Sequence, residues 1–226
     1  MIMEMSRREA RKYERRACIL EVARQSFFER GYAATTMSDI AATLGGSKGT
    51  LWSYFPSKQD LFSAVLEDAT AKFKQELLEV LELHEDVHST LARLCLQFVR
   101  KLSDPSAIQL HRLINGEGGR FPELGRIFFE RLKAVKCLIA DYLDQCVEEG
   151  SIRRVETSIA ADHLMGLCMT GCHQKLLLNV IGLPTPEETA AEAAYAVDAF
   201  IRAYGRASVH SIDSSQMPDN LLLRKE

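Results

Sequence analysis

The most chemically distinctive segment of this 226-residue chain runs from residue 47 to residue 54. Its sequence is Ser-Lys-Gly-Thr-Leu-Trp-Ser-Tyr, which groups hydroxyls, one ammonium and two aromatic rings. Hydroxyl and ammonium groups donate hydrogen bonds to phosphate oxygens and to acceptors on base edges. Gly49 costs a helix about 1 kcal/mol relative to alanine, and it removes a side chain where the backbone must lie close to a partner. The segment therefore has the composition of a short helix that reads a nucleic-acid groove.

Helical periodicity and capping residues predict the elements that position this segment. A first helix spans residues 15–30, with Gly31 as its C-cap, and a second spans 37–44, with Thr36 as its N-cap. Two glycines separate the second helix from the third, which is capped by Ser47 and ends at Tyr54. Two short helices joined by such a tight turn fit a helix-turn-helix. Ser57 caps a long fourth helix.

The residues of this region resemble the DNA-binding signature of TetR/AcrR-family regulators over about 50 residues from Arg15 to Leu66. The residues that carry the resemblance are Thr36, Ile40, Ala41, Gly45, Ser47, Gly49, Trp52, Tyr54, Phe55, Lys58 and Leu61. The resemblance implies that double-stranded DNA is the partner of this head.

The resemblance also implies roles for individual residues. Thr36 would contact a phosphate with its hydroxyl and backbone N–H, and Lys58 would add a charged contact to the DNA backbone. Trp52 and Tyr54 would flank the major groove. The residues that would face the groove are Ser47, Lys48, Gly49, Thr50 and Ser53. A basic tail over residues 1–14, with Arg7, Arg8, Arg11 and Lys12, would add non-specific attraction.

Residues 67–205 are predicted to form a helical ligand-sensing and dimerisation domain, followed by a disordered tail over 206–226. Segments such as 117–124 and 200–205 resemble AefR-like members of the same family. Asp104 and Pro105 predict a helix start, 157–181 is predicted to be one apolar helix, and Thr185 opens a last helix that ends near Gly205. In the family the last two helices pair with their copies in a homodimer. The predicted fold class is all-α, with an N-terminal three-helix head and a C-terminal helical bundle that dimerises.

Bulky apolar residues at helical spacing predict a cavity for a small apolar or amphipathic effector in this domain. The candidate lining residues are Leu94, Phe98, His111, Glu117, Phe121, Phe128, Phe129, Met165 and Met169. His111 and Glu117 are the polar candidates. The same residues would also suit a filled core.

Charge and composition are consistent with this interpretation. Residues 1–60 contain 10 Lys and Arg against 7 Asp and Glu, whereas the remainder contains 18 against 24, so a basic end meets an acidic body. No charge-free apolar stretch approaches the roughly 18 to 20 residues of a membrane helix. The opening residues lack the apolar core of a secretory signal. A cytoplasmic protein without membrane association or cofactor is expected.

The function predicted is that of a ligand-responsive transcriptional repressor that binds a palindromic operator as a homodimer. A redox or metal sensor is the alternative signal, because Cys168, Cys172 and His173 lie close together in the sequence. Two thiols and one imidazole do not complete a zinc site, and none is predicted. An activator would use the same head. The motifs of hydrolases, phosphate-binding loops and zinc proteases are absent from the sequence, so an enzyme is not expected.

Overall fold

The computed structural model describes residues 6–45, 48–82 and 85–206. Within these ranges the structure is helical, and its only β-type pairing is an isolated bridge between Ile152 and Gly205. The helices are α1 (Arg7–Ala34), α2 (Met37–Thr43), α3 (Lys48–Tyr54), α4 (Lys58–Leu81), α5 (Val87–Ser103), α6 (Pro105–Glu117), α7 (Pro122–Glu148), α8 (Thr157–Met169), α9 (Cys172–Leu177) and α10 (Pro186–Tyr204). The predicted all-α class is confirmed.

Capping residues begin the helices where the sequence predicts. The Thr36 hydroxyl accepts a hydrogen bond from the Asp39 amide at 3.1 Å, and Ser57 does the same for the Asp60 amide at 3.0 Å. Asp104 caps α6 with proline at its first position, and Thr185 forms a capping box at the start of α10.

The first helix is longer than predicted at both ends. It begins at Arg7, where Ser6 and Glu9 form a capping box, so residues 7–14 are helical and not an extended tail. Gly31 interrupts the helix as expected, with φ of 82°, but one further turn continues to Ala34. Only a residue without a Cβ adopts this φ readily. Residues 1–5 and 207–226, which include most of the predicted disordered tail, lie outside the described residues.

The single apolar helix predicted over residues 157–181 is wrong. The chain breaks at Thr170 and Gly171 into α8 and α9. The Glu192 carboxylate of α10 accepts hydrogen bonds from the amides of Gly171 and Cys172 at 3.1 and 2.8 Å, and a Cβ on Gly171 would collide with that carboxyl group. A contact from a distant helix thus stabilises a break that periodicity does not reveal.

Two hydrophobic cores lie along the molecule and share α4. The head, defined as α1 to α3 with the first turns of α4, has a core that includes Phe27, Ile40, Leu51 and Phe62, and α6 and α7 contribute to it. The body, defined as α5 to α10 with the rest of α4, packs around a second core that includes Leu77, Leu94, Leu143, Leu164 and Phe200. No break in α4 marks the boundary predicted at residue 66, because this one helix runs through both cores. Among the described helices, none is both long and apolar enough to cross a membrane.

Candidate nucleic-acid interface and effector cavity

The third helix is anchored by two residues and exposes the face opposite them. Leu51 is 2% exposed and lies in the head core with Phe55. Gly49, Trp52 and Ser53 are exposed, and their spacing of three and four residues places them on one face of the helix. Trp52 is 38% exposed, so its ring lies partly against the head and partly in solvent. This arrangement leaves a small, polar and aromatic surface on the outside of the head.

The residues around α3 complete this surface. Thr36 is exposed at the start of α2, where its hydroxyl also donates to the Asp39 carboxylate at 2.7 Å. Tyr54 and Thr50 are half-buried, and the Ser53 hydroxyl donates to the Thr50 carbonyl at 2.7 Å. Ser47 and the side chain of Lys48 lie outside the described part of the chain. The DNA contacts expected of these residues stay predictions.

Lys58 lies inside the head in a way that the sequence did not indicate. Its ammonium donates to the backbone carbonyls of Tyr32 at 2.8 Å and Thr35 at 3.0 Å, and it lies 4.2 Å from the centre of the Tyr32 ring. Burial lowers the pKa of Lys58, and the nearby carboxylates of Glu117 and Glu123 oppose that change. The ammonium therefore holds the end of α1, and the geometry does not favour the phosphate contact expected of it.

Glu117 lies at the contact between head and body and does not line a pocket, so the prediction that it does is corrected. Its carboxylate accepts hydrogen bonds from the amides of Tyr32 at 2.8 Å and Ala33 at 2.7 Å. These amides are available because Gly31 interrupts the helix before them. The joint, defined as residues 31–35, is thus held by a carboxylate from α6 on its N–H groups and by Lys58 on its carbonyls.

A cavity of about 180 Å³ lies between α6, α7, α8 and α9. It brings together three of the residues that the sequence analysis proposed, namely His111, Phe128 and Met169. The other lining residues are Ile114, Asn115, His173, Gln174 and Leu177. The wall is mostly apolar with a few polar groups, which is the usual composition of a small-molecule site.

Two histidines form a hydrogen-bonded pair on one side of this cavity. Nδ1 of His111 lies 2.9 Å from Nε2 of His173, and Nδ1 of His173 lies 2.9 Å from the carbonyl oxygen of Leu102. The His111 ring also meets Phe128 edge to face at 5.2 Å between centroids. Burial, with a smaller effect of His173, lowers the pKa of His111 to about 4. His111 is therefore neutral near physiological pH.

The remaining residues proposed for the pocket lie elsewhere. Leu94 and Phe98 belong to the filled core of the body, and Met165 packs against that core. Phe121 meets the Tyr32 ring at 5.3 Å in the contact between head and body, and Phe129 is 68% exposed. The apolar character of these five residues is explained by core, joint or surface positions, and the prediction that they line the cavity is wrong.

Sequence reasoning missed most of the cavity wall. Ile114 and Asn115 follow His111 by three and four residues, and Leu177 follows His173 by four, so each pair shares a helix face. That spacing was a usable signal on each helix separately. The convergence of the helices is not visible in the sequence, because α9 is positioned by Glu192 at its start and by Arg112, which donates to the carbonyls of Leu176 and Leu177.

The thiols proposed for a redox or metal signal are poorly suited to it. Cys168 is buried, and its hydrogen bond to Cys95 together with burial raises its pKa. Burial and the carboxylate of Glu192 raise the pKa of Cys172 to about 11. His173 is already paired with His111 and Leu102. Within the described ranges, no three His, Cys, Asp or Glu side chains are grouped to hold a metal ion. The alternative is not favoured.

A helix-turn-helix head with an outward-facing third helix, joined to a helical body with a cavity, defines a DNA-binding regulator. Family models agree with this class. Residues 19–65 match the bacterial regulatory proteins of the tetR family, and residues 89–206 match the C-terminal domain of AefR-like transcriptional repressors. The second match alone covers more than half of the chain. The protein belongs to the TetR family of transcriptional regulators.

Individual relatives are similar to different parts of the chain. The uncharacterised regulator YhgD of Bacillus subtilis is 37% identical over 82 residues, which are 34% of this chain and 43% of YhgD. The structure of a TetR-family regulator from Mesorhizobium loti has a TM-score of 0.75 at 24% identity and covers 87% of this chain and 99% of its own. The Flavonoid-responsive Regulator FrrA also has a TM-score of 0.75, at 26% identity, and covers 86% of this chain and 99% of its own.

Proposed function

We propose that the protein is a repressor that binds a palindromic DNA operator as a homodimer in the bacterial cytoplasm and releases it when an apolar or amphipathic small molecule occupies the cavity. The observation that carries this proposal is that α6 contacts both sites. His111, Ile114 and Asn115 of α6 line the cavity, and Glu117 at its end binds the joint. With a rise of 1.5 Å per residue, His111 and Glu117 are about 9 Å apart along the helix.

The wall of the cavity is also part of the packing of the head. Ile114 belongs to the head core, and Phe128 packs against it. A ligand that displaces these side chains would alter the position of α6 against α1. A coupling free energy of about 1 to 3 kcal/mol corresponds to a roughly 5- to 150-fold loss of DNA affinity. The similarity to FrrA, which is described as flavonoid-responsive, supports an organic effector.

The exposed faces of α8 and α10 support a homodimer. Ile159 and Gly166 are exposed on α8, and Ala191, Ala194 and Tyr195 are exposed on α10. Tyr195 is 76% exposed, which is unusual for a large aromatic residue without a partner. Small residues beside it allow helices to approach closely. Two copies related by a twofold axis would present two α3 helices to the two halves of a palindrome.

A DNA titration tests the first part of this proposal. Purified protein is titrated against labelled DNA from upstream of its own gene, with scrambled competitor, at about 150 mM salt. Lys48→Ala and Tyr54→Ala are expected to weaken binding, and each lost phosphate contact lowers the slope of log K against log salt by about 1. Lys133→Ala is the matched control, because Lys133 is exposed on α7 in the body. Weak binding that ignores competitor sequence and both head variants would contradict the proposal.

A further inference from the structure

The hydrogen-bonded histidine pair fixes which nitrogen atoms carry protons. The Leu102 carbonyl can only accept, so the proton of a neutral His173 lies on Nδ1 and its Nε2 carries a lone pair. That lone pair must accept from His111, so the proton of neutral His111 also lies on Nδ1. Nε2 of His111 then carries a lone pair and has no hydrogen-bond partner among the described residues. Because the His111 ring lines the cavity, the chain presents an acceptor there.

The surroundings favour the neutral form of the pair. Among the described residues that line the cavity, none is acidic, so no carboxylate there would stabilise an imidazolium. His173 is 2% exposed, and burial disfavours its charged form. The nearest charged group on the facing helix is the Arg112 guanidinium, which binds the carbonyls at the end of α9 and disfavours a further positive charge. Glu192, on α10, is held by the amides of Gly171 and Cys172.

We infer that the effector is a neutral aromatic molecule with a hydroxyl group, and that this hydroxyl donates its hydrogen bond to Nε2 of His111. A phenol combines a planar apolar body for the wall at Phe128 and Met169 with a single strong donor. A carboxylate or an ether has no proton to donate, and either would place an acceptor against a lone pair. The volume of about 180 Å³ fits a single substituted ring. This inference rests on the proposed function only in taking this cavity as the effector site.

His173 is a positioning residue in this scheme. It does not need to touch the effector, yet its bond to Leu102 decides the tautomer of His111. The chain from a backbone carbonyl through two imidazoles gives the cavity a fixed polarity. Specificity for a donor over an acceptor follows from that polarity, since an unpaired or opposed polar group costs binding free energy.

The test uses the full-length protein without DNA. Nitrogen-15 NMR of the histidine rings reads the tautomers directly, and His111→Phe assigns the signals. The protein is then titrated with para-propylphenol, para-propylanisole and para-propylbenzoate by calorimetry and by NMR. His88→Phe is the control variant, because His88 is exposed at the start of α5.

The expected result is a bare Nε2 on both His111 and His173 in the free protein, and a shift of the His111 Nε2 signal on addition of the phenol. The phenol should bind about tenfold more tightly than the ether or the acid. His111→Phe should lose this preference and His88→Phe should keep it. A proton on Nε2 of His111, equal affinity for phenol and ether, or no phenol binding would overturn the inference. The tautomer measurement needs no variant and stands even if His111→Phe fails to fold.

These outcomes are distinguishable from failure of the proposed function. A phenol that binds at His111 but leaves DNA affinity unchanged would contradict ligand-controlled release and leave the assignment of the cavity intact. DNA release by compounds without a donor, with no change in the His111 signals, would contradict the assignment alone.

Discussion

Replacing Glu117 with glutamine perturbs the contact between head and body while keeping the size of the side chain. The carboxylate of Glu117 accepts two hydrogen bonds, at 2.8 and 2.7 Å, from the Tyr32 and Ala33 amides. A glutamine keeps one carbonyl acceptor and turns an NH₂ group toward the second amide. One charge-assisted hydrogen bond is therefore lost, and the other becomes neutral.

Hydrogen bonds to charged groups contribute about 1.5 to 3 kcal/mol to stability. Because Glu117 is half-exposed, we take the lower end and expect a loss of about 1.5 kcal/mol. Since about 1.4 kcal/mol is a factor of ten, local opening of the joint should become roughly tenfold more frequent. The DNA-binding surface itself is untouched, so affinity for DNA without effector should change little.

Native-state hydrogen exchange at the Tyr32 and Ala33 amides measures the opening, and fluorescence anisotropy of labelled DNA measures the coupling. Exchange at both amides should accelerate about tenfold, and the ratio of DNA affinities with and without effector should move toward one. Glu130→Gln is the matched control, because Glu130 is exposed on the neighbouring helix α7. Unchanged exchange together with full effector response in Glu117→Gln would refute the role of this contact.

Three further predictions follow from other positions. Gly31→Ala should lower the free energy of unfolding by about 1 to 3 kcal/mol, because φ is 82° and the added Cβ meets the Glu117 carboxylate; an unchanged denaturation midpoint would show that the strain is relieved. The thiol of Cys172, with its pKa raised to about 11, should alkylate slowly near neutral pH and accelerate only as the pH approaches that value, whereas rapid labelling at neutral pH, comparable with that of exposed Cys18, would contradict the raised pKa. Tyr195→Glu should convert a dimer to a monomer in light scattering, and a dimer of undiminished stability would place the interface elsewhere.

Local capping chemistry explains why much of the fold could be predicted. Thr36, Ser57 and Thr185 each bind an amide within three residues along the chain, so the start of a helix is written in a short stretch of sequence. The break at Gly171 depends on Glu192, which is 21 residues away, and periodicity alone continues the helix through it. The extension of α1 to Arg7 follows from a capping box at Ser6 that sequence reasoning passed over in favour of a basic tail.

The cavity was predicted less well, because one apolar residue type serves several purposes. Phe98 and Phe128 have the same side chain at helical spacing, yet Phe98 fills the body core and Phe128 lines the cavity. Glu117 was correctly singled out as an unusual polar residue, but its partners are backbone amides 84 and 85 residues earlier. His173 was considered as a metal ligand, and its actual partners come from α5 and α6. Such assignments require the packing of the helices.

Selection of bound duplexes from a random-sequence pool tests the central claim most directly, because it needs no knowledge of the regulated gene. A homodimer that reads DNA through α3 should enrich an inverted repeat whose half-sites are separated by about one helical turn or a multiple of it. Lys48→Ala should fail to enrich that repeat, whereas Lys133→Ala should enrich it as the wild-type protein does. Enrichment of no sequence, or of a single half-site without symmetry, would contradict a dimeric operator-binding repressor.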